Sequence, residues 1–75
     1  MMELDSTKQI KEEIISLYLR YFGSQTADNY SNFYADKDIK IVLTSATELI
    51  TEYAGESKSK EILGDIYKRY NIQPN

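Results

Sequence analysis

Seven tyrosines and twelve acidic side chains hold most of the chemical potential of this 75-residue chain, because histidine, cysteine and tryptophan are absent. Without histidine there is no imidazole base and no serine triad, and phosphotransfer through histidine is excluded. Without cysteine there is no thiol nucleophile, and the usual zinc ligands are gone as well. Glu48, Glu52 and Glu56 recur every fourth residue, which places them on one ridge of a helix. Like charges at that spacing repel, and acids near a helix C-terminus oppose its dipole. Such a ridge suits docking of a basic partner, or is a solvated face with Glu56 paired to Lys60. General acid–base work would need burial to tune the carboxylates, and nothing around them suggests it.

Asp36 and Asp38 have the spacing that opens a calcium loop, but Lys40 and Ile41 stand where an oxygen ligand and a glycine are required. Helix capping explains the two aspartates better. The glycines, Gly23, Gly55 and Gly64, have no phosphate-loop or dinucleotide spacing. No metal, no cofactor and no enzymatic activity are expected. Asn29-Tyr30-Ser31 matches a glycosylation sequon by chance.

The tyrosines are more informative. Tyr18/Tyr21 and Tyr67/Tyr70 lie three residues apart and Tyr30/Tyr34 four apart, so each pair meets along a helix face. Rings turned inward with hydroxyls reaching water would make the rim of a small core. Alternatively, the tyrosines anchor a partner. The candidate interface is Ile15, Tyr18, Leu19, Phe22, Tyr30 and Tyr34, with Glu48 and Glu52 selecting the partner by charge.

The elements that would carry these residues are helices. Ser6-Thr7-Lys8-Gln9 reads as a capping box. Ile10, Ile14, Leu17, Tyr18 and Tyr21 follow at helical spacing, and Ile15, Leu19 and Phe22 widen the stripe on a second side. This predicts a helix over 7–22, stopped by Gly23 in a left-handed conformation. That is more apolar surface than one antiparallel neighbour covers. Ala27, Tyr30, Phe33 and Tyr34 predict a short second helix to about residue 35. Ile39, Val42, Ala46, Leu49, Ile50 and Tyr53 predict a third over 39–54, ended by Gly55. Its β-branched start, with Ile39, Ile41 and Leu43 alternating, also fits a strand at about 38–44 paired across a homodimer. Ser57 or Ser59 would cap a fourth helix over 57–71, with Ile62, Leu63, Ile66, Tyr67 and Tyr70 on its apolar face and Asn71 and Pro74 ending it. Gly64 inside it costs ~1 kcal/mol relative to alanine and marks either a close helix approach or a tolerated weak spot.

The fold class that follows is all-α: one small domain over 1–75, three long helices and a short one, with frayed tails at 1–5 and 72–75. Glu13-Ile14-Ile15 and Glu61-Ile62-Leu63 each precede an Arg-Tyr pair, which hints at a duplicated helix pair. A core this small, with no disulfide, gives a marginal monomer that gains from association. The net charge of −3 disfavours nucleic acid and anionic membrane. No apolar run is long enough to span a bilayer. The first residues lack the pattern of a signal peptide, so the cytoplasm is the expected location. These features point to a non-catalytic protein–protein interaction or self-association module, most simply a homodimer. The alternatives are a helix-turn-helix regulator using 39–71, whose positive face Glu56, Glu61 and Asp65 interrupt, and an acidic inhibitor docking on a basic surface.

Overall fold

The apolar spacing is realised as four helices: α1 (Met2–Phe22), α2 (Ser24–Tyr34), α3 (Ile39–Ala54) and α4 (Glu56–Arg69). The computed structural model describes residues 2–72, with residues 2–5 as backbone only, and contains no strand among them. The fold is all-α. The strand alternative at 38–44 is overturned, because helix α3 occupies that segment from Ile39 onward. Asp38 decides its start. Its carboxylate accepts the backbone N–H of Lys40 at 2.9 Å and of Ile41 at 3.2 Å, satisfying two donors that the first turn leaves open. Val42, Ala46 and Ile50 then fall on one buried stripe, which outweighs the β preference of Ile39, Ile41 and Val42.

Two corners are made by single glycines. The Gly23 N–H closes α1 onto the Leu19 carbonyl at 3.2 Å, and its own carbonyl accepts the Ala27 N–H at 3.1 Å to open α2. Gly55 repeats this, with its N–H on Thr51 at 2.8 Å and its carbonyl accepting from Ser59 at 3.0 Å. Both glycines have positive φ (95° and 94°) with ψ of 171° and 164°, a region essentially reserved for glycine. Gly23 is therefore not the left-handed helical stop that the sequence suggested, while Gly55 ends α3 as expected. No side chain caps α2 or α4. Ser57 and Ser59 lie inside α4, because Gly55 lets the new helix begin at once.

The other ends differ. Asn71, at φ 56°, closes α4: its N–H reaches Lys68 at 3.2 Å and the next N–H, of Ile72, reaches Tyr67 at 2.8 Å. That is a Schellman motif with asparagine in the left-handed position. At the start of the chain α1 already includes residues 2–5, and Ser6 is helical rather than a cap. Methionine, glutamate and leucine are good helix formers and nothing upstream of Ser6 breaks the run. Met1 and residues 73–75, the rest of the expected tails, and with them the role given to Pro74, lie outside the described residues.

By internal contacts the chain divides into two units, Met1–Val42 and Leu43–Asn75, with the boundary inside α3. In the first, α1 packs on α2, and buried Ile10, Ile14, Tyr18, Ala27 and Tyr34 supply its interior. In the second, the buried residues are Leu43, Ala46, Ile50, Ser59, Leu63 and Ile66. The burial pattern repeats with the corner. Ile10, Ile14, Tyr18, Ala27 and Tyr34 are each followed 32 residues later by buried Val42, Ala46, Ile50, Ser59 and Ile66, the same interval that separates Gly23 from Gly55. A repeated helix pair is present in the burial pattern, but it matches α1 to α3 rather than α1 to α4, as the Glu-Ile similarity had suggested.

Candidate interaction site

In the first unit, five aromatic rings form one connected cluster. Helical spacing puts Tyr18 one turn before Phe22, and their rings meet edge to face at 5.6 Å. Tyr30 of α2 stands edge-on to Tyr18 at 5.1 Å and lies 5.4 Å from Tyr34. Phe33 extends the cluster outward, 5.6 Å from Tyr34 and 6.4 Å from Tyr30. The Tyr18 and Tyr34 hydroxyls share a buried hydrogen bond of 2.8 Å, in which either can donate. Burial, and then that bond, push the Tyr18 phenol far above its ordinary range, so it stays protonated. Each phenol removes the cost of burying the other, which is how two such polar rings fit an interior.

Around this cluster the charges are local. Lys37 sits 4.8 Å over the Phe33 ring and pairs with Asp36 at 3.0 Å, holding that exposed carboxyl below its usual value. Lys11 of α1 donates to the Ala35 carbonyl at 3.3 Å. Both lysines thus stand at the C-terminal end of α2, where positive charge suits the helix dipole.

In the second unit, a cleft of about 840 Å³ opens between α3 and α4. Thr44, Thr47 and Glu48 line it from α3, and Ser59, Lys60, Leu63, Gly64 and Tyr67 from α4. The Thr47 hydroxyl is engaged with the Leu43 carbonyl at 2.8 Å. Ser59 is only 2% exposed, and its hydroxyl has no hydrogen-bond partner among the described residues. No fully enclosed side-chain nitrogen or oxygen there lacks a partner, so the Ser59 hydroxyl must reach the cleft. Gly64 has nothing within 4 Å of the place a Cβ would occupy. The close helix approach considered for Gly64 is therefore not made among the described residues.

The sequence-derived candidates scatter across these two regions. Tyr18 and Tyr34 are wholly interior, at 0% and 1% exposure, so their rings are not surface anchors. Ile15, Phe22 and Tyr30 are half-buried, and Leu19 is 54% exposed. Glu48 and Glu52 are exposed on α3, and Glu48 lines the cleft. Glu56 leaves their ridge: it opens α4, where a negative charge favours the dipole. It makes no ion pair with Lys60 among the described residues; Lys58 and Glu61 pair instead at 3.7 Å.

Sequence reasoning missed Ser59 as a buried residue, and missed Phe33 as an exposed ring at 48%. Ser59 could have been found, since it lies one turn before Leu63 on the apolar face of α4. Comparison with protein-family models, curated proteins and solved structures finds no match. Among the described residues no helix is long and apolar enough to cross a membrane.

Proposed function

We propose that the chain is a non-catalytic protein–protein interaction module that self-associates as a homodimer through the outer face of α1. The observation that carries this reading is the second apolar stripe of α1. Ile10, Ile14 and Tyr18 are buried, while Ile15, Leu19 and Phe22, at i, i+4 and i+7, remain accessible beside them. Leu19 leaves more than half of its surface in water, a position that a helix uses as an anchor in a groove. Exposed Glu48 and Glu52 bias which partner is accepted. The chemistry of the chain agrees with a role in binding: it has neither histidine nor cysteine, and its buried tyrosine pair is engaged with itself.

The test is mass in solution across concentration for the full chain and for Leu19→Asp. Association of the full chain, lost in a Leu19→Asp variant that keeps its helical circular dichroism, is the expected result. Equal association of the two chains would sink the assignment of the α1 face.

A further inference from the structure

We infer that the α3–α4 cleft is the receptor for the outer face of α1 from a second copy of the chain. The inference rests on the self-association reading and adds the surface against which α1 docks. Size is the first reason. The α4 wall of the cleft runs from Ser59 to Tyr67, which at ~1.5 Å per residue is about 12 Å, the length of two turns of an entering helix. Ile15, Leu19 and Phe22 span those two turns.

Charge is the second. Glu48 on one wall and Lys60 on the other make no ion pair among the described residues. The face of α1 that carries Ile15 and Leu19 also carries exposed Lys8 and Glu12, which likewise make none. The entering helix thus brings an acid, Glu12, one turn before Ile15 and so within reach of the base Lys60 on the α4 wall.

The floor of the cleft supplies the third reason. Gly64 weakens α4 with nothing within 4 Å of the place a Cβ would occupy, and Ser59 is 2% exposed with a hydroxyl that reaches the cleft and has no partner among the described residues. An incoming helix explains both. A missing side chain lets a second helix approach the α4 backbone closely, and the docked copy brings polar groups within reach of Ser59.

Sedimentation across concentration tests this with the full chain, Leu19→Asp, Gly64→Trp and an equimolar mixture of the two variants. The tryptophan fills the cleft and leaves α1 intact, whereas the aspartate spoils α1 and leaves the cleft open. Each variant alone should associate ~30-fold more weakly or worse. The mixture should recover part of the association, because the mixed pair keeps one of its two face-to-cleft contacts intact while each variant alone keeps none. Should Gly64→Trp fail to fold, Lys60→Glu reports the same contact from an exposed position, and Glu12→Lys should restore what it loses.

Unchanged association of Gly64→Trp or Lys60→Glu, with Leu19→Asp impaired, would overturn the cleft as receptor while leaving the α1 interface standing. A mixture of folded variants that fails to recover would overturn it too. A full chain that stays monomeric at hundreds of micromolar would remove both the inference and the homodimer.

Discussion

The α1–α2 pair and the α3–α4 pair are built on one plan and filled differently. Each turns at a single positive-φ glycine, and each buries the same five positions relative to it. At those positions the first pair places Tyr18 and Tyr34 where the second places Ile50 and Ile66. The larger rings, with Phe22, Tyr30 and Phe33 around them, make a continuous aromatic contact between α1 and α2. The second pair, with isoleucines and with Ser59 and Gly64 on α4, leaves a cleft open instead. The corner sets how the chain turns, and side-chain volume sets whether the turn encloses a core or leaves space for something else.

The largest way to break this comparison is to empty the aromatic side. Tyr18→Ala should cost ~3–5 kcal/mol in a denaturant melt, as truncation of a buried aromatic does, and should cost more than Ile50→Ala at the equivalent place. Equal costs would mean that the ring cluster adds nothing beyond ordinary apolar packing.

The shared corners come next. Gly23→Ala and Gly55→Ala should each lose ~1–3 kcal/mol, because an alanine meets no neighbour there and is strained only by its backbone. A cost at one corner and none at the other would show that the two turns are not equivalent.

Tyr18→Phe is subtler. Losing the bond to Tyr34 should cost about 1 kcal/mol. It should also change the alkaline limb of the stability curve. The folded phenol titrates far above its ordinary value of 10.0, so its contribution is fully present below that pH and is lost as pH rises beyond it. Melts from pH 8 upward should fall more gently for Tyr18→Phe, and parallel curves would refute the link.

The smallest effect has the opposite sign. Gly64→Ala removes a helix-weakening residue into open space and should raise stability by ~1 kcal/mol. A loss in the same melt, run at a concentration where the chain is monomeric, would reveal a close contact at Gly64 within the chain and erase the contrast between the open pair and the filled one.

Much of the architecture was legible in the chain because helical periodicity is a local signal. The bounds of α3 follow directly from the spacing of Val42, Ala46 and Ile50, together with Asp38 before them and Gly55 after. The inward face of α1 was equally plain in Ile10, Ile14 and Tyr18. Helix starts were harder to read. Ser6, Ser57 and Ser59 are good caps in isolation, yet good helix formers before Ser6 and a permissive glycine before Glu56 moved both starts upstream. Of the interface candidates, spacing could list Tyr18, Tyr30 and Tyr34 together, but not rank them by exposure.

By itself, then, the sequence determined that this protein is helical, where its helices break, and that its chemistry is one of tyrosines and carboxylates without histidine or cysteine. Those are matters of residue type and of contacts within a few positions. Tertiary structure alone decided that Tyr18 and Tyr34 face each other across 16 residues of chain, that Leu19 is left in water, and that Ser59 and Gly64 border an open cleft. Each of these depends on the volume and direction of side chains far apart in sequence, which no local periodicity encodes.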